Sequence, residues 1–352
     1  MPQPTASRTI VLATDAWLPQ VNGVVRTYQR LVDELAARDV RLDVIAPDQF
    51  RNFPAPTYPE IRLAIASASS LAQRIEAADA DAVHIATEGP IGWAARRACR
   101  RMGRVFTTSY HTRFPEYLRA RFPIPTGLSY AALRRFHNAG AGMLVATASL
   151  QRELRDRGFA TVTPWTRGVD TEVFRPSDAR IFGHGSVLLY VGRVAVEKNL
   201  EAFLALETSG RKVVVGDGPA RLDLSARFPQ AQFTGKLEGA ELAKAYASAD
   251  VFVFPSLTDT FGIVMLEAMA CGTPVAAYPV TGPIDVVEEG VNGALDDDLG
   301  RAVSRALALD RSAVREAARS FSWSACAEQF IATVAAANGR DDADPHRPGA
   351  SR

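Results

Sequence analysis

Lysine is missing from the first 180 residues of this 352-residue chain, where 24 arginines stand against 17 acids; the rest holds 16 basic and 22 acidic side chains. The chain is nearly neutral overall, at +1, yet its halves are of opposite polarity, about +7 and about −6. Cysteine is scarce: Cys99, Cys271 and Cys326 lie far apart, follow neither metal-ligand nor disulfide spacing, and read as buried reduced thiols. No run of about 18 apolar residues is present to span a bilayer, and MPQPTASRTIVLA has no basic segment followed by an apolar one long enough for secretion. A cytoplasmic protein is therefore expected. VVGDGP lacks the glycine spacing of a dinucleotide fingerprint, which weighs against a dehydrogenase. No aromatic-interleaved surface or nucleic-acid motif accompanies the arginines, so no nucleic-acid partner is expected.

The length exceeds what one hydrophobic core usually supports, so two domains are expected. Short apolar runs alternate with helical stretches in both halves, the pattern of two doubly wound α/β layers. In the first half the runs are Ile10 to Ala13, Arg41 to Ala46, Ala82 to Ala86, Arg104 to Thr108 and Met143 to Thr147. In the second they are 187–191, 211–215, 231–234, 251–254 and 274–277. Asn22 and Gly23 are positioned to turn before a helix from Val24 to Arg38, and residues 338–352 read as a disordered tail.

Chemistry concentrates in the second half. Asp259 follows the run Val251 to Phe254, which places it at the carboxyl end of a buried strand, where open α/β sheets hold ligands. Thr260, Phe261 and Gly262 open a helix whose N–H groups suit an anion, and Glu267 lies nearly two turns further in. The two carboxylates suit two ends of one elongated ligand, each accepting from a cis-diol; alone, they read equally as helix-start acids complementing the dipole. The run VLLYV leads into Gly192, Arg193 and Lys198, a guanidinium fork and a compact ammonium at a strand mouth. Such a pair suits a diphosphate whose charge grows as it leaves, or is a solvated pair with Glu197 as local partner.

VGRVAVEKNL, VVVGDGP, FTGKL, AYASADVFVFPS and TDTFGIVMLEAMACGTPV occur in the order and spacing of the GT4 family of retaining glycosyltransferases, which the chain resembles over most of its length. The resemblance implies a GT-B fold: α/β, two doubly wound Rossmann-like domains facing across a cleft. It sets an acceptor-side domain at 1–175, a nucleotide-sugar domain at 176–322, and a helix at 323–337 crossing back to the first domain. It implies that Arg193 and Lys198 bind the donor diphosphate and Glu267 the donor ribose. Gly23, Gly192, Lys236, Leu237, Thr260, Phe261 and Gly262 would line the donor site. Asp259, standing where the family more often has Glu, would contact hydroxyls of the donated sugar. His111, in TTSYHTRF, matches a histidine facing that sugar; a lone histidine otherwise reads as packing. No cofactor is implied beyond the nucleotide sugar, and no metal, since the two cations serve that role.

The acceptor side is read from TDAWLPQVNGVVRTYQRL, TEGPIG, SYHTRFPEY and WTRGVD, which resemble the lipid-directed bacterial branch and plant sulfolipid synthase relatives. Asn22, Glu88 and His111 fall there, although Glu88 before Gly-Pro also suits a turn cap. From Arg96 to Arg135 there are ten arginines and one acid, and Arg96, Arg97, Arg100, Arg101 and Arg104 span roughly 140° of a helical face. An unpaired cationic stripe points to an anionic membrane surface. The expected reaction is hexose transfer, weakly from GDP-mannose and otherwise from a UDP-sugar, to a diacylglycerol-type lipid at the inner leaflet. Soluble or polysaccharide acceptors, or a non-catalytic nucleotide-sugar sensor, are the rivals.

Overall fold

A computed structural model describes residues 8–20, 22–55, 58–121 and 124–341, and strands and helices are numbered and counted among those residues. Its contacts divide the chain into two units, one formed by residues up to Thr166 together with those from Trp323, the other by Arg167–Ser322. The stretch Gly168 to Pro176 therefore belongs to the second unit. Of the tail, residues 342–352 lie outside the described residues.

In the first unit the strands are β1 (Arg8–Ala13), β2 (Val40–Ile45), an antiparallel hairpin of β3 (Asn52–Ala55) and β4 (Tyr58–Ala64), β5 (Ala82–Ile85), β6 (Thr107–Tyr110), β7 (Gly142–Val145) and β8 (Val162–Pro164). Six of them form one parallel sheet in the order β2-β1-β5-β6-β7-β8. Because strand side chains alternate, β1 serves two cores. Ile10 and Leu12 meet Tyr28, Leu31 and Leu35 of the helix Gly23–Ala36, whereas Val11 and Ala13 face the layer holding Leu71, Ile75 and Ile91.

The last helix, Trp323–Asp341, docks on the first of these layers. Cys326, Phe330 and Val334 recur at every fourth position and are buried. The Trp165 indole N–H donates to the Cys326 carbonyl at 2.9 Å, and Asn338 donates to the Asp81 carbonyl at 2.9 Å.

The second unit repeats the plan with β9 (Val187–Val191), β10 (Arg211–Val215), β11 (Gln232–Gly235), β12 (Val251–Phe254), β13 (Val275–Ala277) and β14 (Gly293–Leu295). Their order is β11-β10-β9-β12-β13-β14, again parallel. The loops after β9 and β10 lie backbone to backbone: Gly192 N–H donates to Val215 O and Val194 N–H to Asp217 O, at 3.0 and 2.9 Å. A Cβ on Gly216, where φ is +140°, would fall 1.9 Å from the Gly192 carbonyl, so only glycine permits that approach.

The strand expected from Arg104 begins instead at Thr107. Gly103 adopts the left-handed conformation as C-cap of the helix Pro90–Met102, and the Arg104 N–H bonds back to the Cys99 carbonyl, so the chain is still leaving the helix there. All three cysteines are free and buried, and burial pushes the Cys99 and Cys271 thiols up to about 12.

Candidate functional site

In each sheet the winding direction reverses at one place, between β1 and β5 and between β9 and β12. At such a switch point neighbouring loops part at the carboxyl ends of the strands and leave room for a ligand.

In the second unit the loop after β9 carries Gly192, Arg193 and, at the end of a short 3-10 turn, Lys198; the loop after β12 carries Asp259. The switch point brings Lys198 and Asp259 together, with Nζ 2.5 Å from Oδ1. Both side chains are mostly buried, and the second oxygen, Oδ2, is buried with no hydrogen-bond partner. A half-satisfied buried carboxylate is costly unless something else completes it. Arg193 is half-buried on the same loop, where its carbonyl accepts from the Tyr190 hydroxyl at 2.9 Å.

Gly262 caps the helix Ile263–Ala270 with φ +87° and supplies no side-chain bond, so that helix start lacks a side-chain cap. Thr260 is half-buried and Phe261 buried beside Phe321. Glu267 lies inside the helix, buried, and accepts from the Tyr246 hydroxyl at 2.8 Å. Sequence reasoning missed Tyr246, whose only signal is a polar-tipped ring in the helix Gly239–Ala247. Lys236 and Leu237 follow β11, at the sheet edge two strands from β9, with Lys236 exposed.

In the first unit the switch point is occupied by a residue that the sequence reading passed over. Asp15 follows β1 and accepts from the Ile91 N–H at 2.8 Å, the Gly92 N–H at 3.2 Å and the Thr87 hydroxyl at 2.9 Å. It caps the helix Pro90–Met102, whose own N-cap, Gly89, has no side chain to do so. Burial raises its pKa, against the lowering effect of those donors. Asn22 is the N-cap of the helix Gly23–Ala36, accepting from Val24 N and Val25 N at 3.0 Å each. Its amide oxygen is thus committed to the backbone, and Gly23 opens the helix, exposed.

Glu88, expected on the acceptor side, makes an internal contact. Its side chain is 4% exposed and its Oε1 lies 2.9 Å from Nε2 of the buried His137, whose Nδ1 meets the Thr108 hydroxyl at 2.8 Å. The contact satisfies two polar groups that would otherwise be buried without partners. His111, directly after β6, is set among aromatic rings: Tyr28 edge-on at 5.4 Å and Trp165 at 5.8 Å between centroids. Its Nε2 lies 3.0 Å from the Tyr28 hydroxyl.

The five-arginine stripe is corrected. Arg96 is buried: its guanidinium donates to the Phe136 and Arg135 carbonyls at 3.2 and 2.9 Å and stacks on Trp93. Those carbonyls belong to the last turn of the helix Thr126–His137, where unsatisfied acceptors attract a cation. Arg104 lies beyond the helix end, half-buried. Arg97, Arg100 and Arg101 remain exposed. No helix among the described residues is long and apolar enough to cross a membrane.

Two doubly wound parallel sheets, the second with cations and a carboxylate at its switch point, are the arrangement of the GT-B fold. Family comparison particularises this: residues 21–173 match the model described as Glycosyltransferase Family 4 and residues 185–309 that described as Glycosyl transferases group 1. A GDP-mannose-dependent alpha-mannosyltransferase of Corynebacterium glutamicum is 31% identical over 82% of this chain and 76% of its own. The sulfoquinovosyl transferase SQD2 of Arabidopsis thaliana is 32% identical over 81% of this chain, which spans 63% of the plant protein. Among solved structures, Anabaena Alr3699/HepE in complex with UDP-glucose superposes with a TM-score of 0.70 at 16% identity, covering 93% of this chain and 99% of that one, a likeness of fold. The chain belongs to glycosyltransferase family 4.

Proposed function

We propose that the protein transfers a hexose, with retention of anomeric configuration, from a nucleotide diphosphate sugar to a diacylglycerol-type lipid, with GDP-mannose the preferred donor. The observation that carries this reading is the Lys198–Asp259 pair at the switch point of the second sheet, with Arg193 on the same loop. Lys198 and Arg193 stabilise charge growing on the departing diphosphate, and the Ile263–Ala270 helix start adds its N–H groups. Asp259 takes sugar hydroxyls through its second oxygen, and Glu267, braced by Tyr246, takes the ribose. His111 keeps the role its motif implies, orienting the donated sugar. Fixed cations do the work of a divalent ion, so EDTA should leave turnover unchanged.

The preference for GDP-mannose is supported by the corynebacterial relative. A lipid acceptor is supported by the exposed Arg97, Arg100 and Arg101, which suit an anionic leaflet at the cytoplasmic face, and by exposed apolar side chains at Phe114 and Leu128 on the same unit. The test is a panel of GDP- and UDP-sugars with extracted membrane lipids, read by mass spectrometry. A hexosylated glycerolipid formed with EDTA present is the expected product. Hexose found only on soluble acceptors would overturn the lipid assignment, and release of none from any donor would overturn the enzyme assignment.

A further inference from the structure

Behind His111 a buried chain of polar groups runs through the first unit. The Tyr28 hydroxyl, on the helix Gly23–Ala36, lies 3.0 Å from His111 Nε2, donates to Ser109 Oγ at 3.0 Å, and lies 3.0 Å from His84 Nε2. Ser109 Oγ is in turn 2.8 Å from His84 Nε2, and His84 Nδ1 is 2.8 Å from the Thr107 hydroxyl. Tyr28, His84, Thr107 and Ser109 are all essentially inaccessible to solvent. Inside an apolar layer that also holds Trp165 and Phe330, such groups persist only if every proton is placed.

The protons can be counted. A phenol has one, and that of Tyr28 goes to Ser109. Ser109 then gives its own to His84 Nε2, which leaves the His84 proton on Nδ1, pointing at Thr107. Burial keeps the His84 ring neutral, its pKa pulled down to about 3, so one proton on that ring is the right number. With its single proton spent, the Tyr28 oxygen meets His111 Nε2 only as an acceptor, so Nε2 carries a hydrogen.

We infer that Tyr28 is the positioning residue of His111: its hydroxyl, locked by Ser109 and His84, accepts the Nε2 proton, holds the imidazole in one tautomer, and fixes its tilt against Trp165. The ring contact at 5.8 Å continues the lock to the last helix, because Trp165 is itself held by the Cys326 carbonyl. The effect on turnover rests on the proposed role of His111 toward the donated sugar; the tautomer does not.

The experiment is long-range ¹H–¹⁵N correlation of the imidazoles in the full chain at neutral pH, where the five histidines are assigned by single substitution. In the wild type His111 is expected wholly as the Nε2–H tautomer and His84 wholly as Nδ1–H. Tyr28→Phe keeps the ring's packing and leaves Ser109 and His84 to satisfy each other, so the variant folds. Its His111 signals should move away from those of the pure Nε2–H tautomer, and kcat should fall about 10-fold with the donor KM within about 2-fold, the scale of one lost orienting hydrogen bond. Ser109→Ala is the control: the Tyr28 hydroxyl turns its proton to His84 Nε2 and still accepts from His111, so the His111 signals stay in place. A wild-type His111 protonated at Nδ1, or one unmoved by Tyr28→Phe, overturns the inference. Shifted signals with unchanged turnover support the positioning and overturn instead the role given to His111 in transfer.

Discussion

Lys198 Nζ and Asp259 Oδ1 lie 2.5 Å apart although 61 residues separate them in the chain. Two loops that leave neighbouring strands at the switch point produce the contact, and it aligns an ammonium before any donor arrives. Replacing Lys198 by alanine should therefore have two separable effects. Turnover should drop by about 10²-fold or more, the scale of removing a transition-state charge stabiliser. Stability should fall by about 1–3 kcal/mol, because a mostly buried carboxylate loses its counter-charge. Removing Asp259 as well should restore most of the stability in urea titrations while turnover stays low. Near-normal turnover of Lys198→Ala would remove its proposed role.

Tyr246 and Glu267 form the second testable pair, 2.8 Å apart within one core. If Glu267 holds the ribose, the Tyr246 hydroxyl acts by fixing the carboxylate's rotamer rather than by touching the reacting bond. Tyr246→Phe is then expected to raise the donor KM about 3- to 10-fold, one hydrogen bond's worth, and to leave kcat within about 2-fold. Steady-state kinetics over a donor series check this; a fall in kcat at constant KM contradicts a ribose role for Glu267.

The second sheet is the more legible in the sequence, because its central strands are unbroken apolar runs. VLLYV and VFVF coincide with β9 and β12, and the catalytic candidates follow directly on them. The hairpin β3–β4 is hidden by the prolines at 54 and 59, tolerated only because the pair stands apart from the main sheet. β8 and β14, at three residues each, are too short to show a period. Site residues at strand ends can be named from local pattern; their partners cannot. Tyr28 reads as a helix core residue until β5 and β6 lie side by side and carry His84 and Ser109 beneath it. The only trace of that network is the polar residues of two buried strands, one histidine in AVHI and two threonines and a serine in TTSY. Arg96 shows the opposite failure: a periodic charge pattern cannot reveal that one member is consumed by the carbonyls of a neighbouring helix.

His84 also makes a prediction about acid. Its pKa is pulled down from 6.5 to about 3, first by desolvation and then by the nearby His137, so between those pH values the unfolded chain binds a proton that the folded one refuses. Stability from this group is thus fully present above pH 6.5 and declines as pH falls toward 3, by roughly 1.4 kcal/mol per pH unit at most. His84→Gln removes that titration. Urea unfolding at pH 7, 6, 5 and 4 should show the wild type losing stability faster than the variant, with the gap narrowing steadily. Parallel curves would mean that the imidazole is already protonated in the folded protein.

Within the Pro90–Met102 helix, Arg96 and Arg97 are adjacent in sequence but should respond oppositely to removal. Arg97, Arg100 and Arg101 are exposed, so their joint replacement by glutamine should leave thermal stability unchanged. If the helix meets an anionic leaflet, each is worth about 1 kcal/mol there, and the triple variant should bind phosphatidylserine vesicles about 10²-fold more weakly at low salt. Arg96→Gln strips two carbonyls and the Trp93 face of their cation, and should cost about 1–3 kcal/mol of folding stability while vesicle binding below the melting transition persists. Cosedimentation at two salt concentrations separates the cases. Vesicle binding that survives the triple substitution would locate the membrane contact elsewhere on the first unit, and binding abolished by Arg96→Gln alone would return that residue to the surface from which its burial removes it.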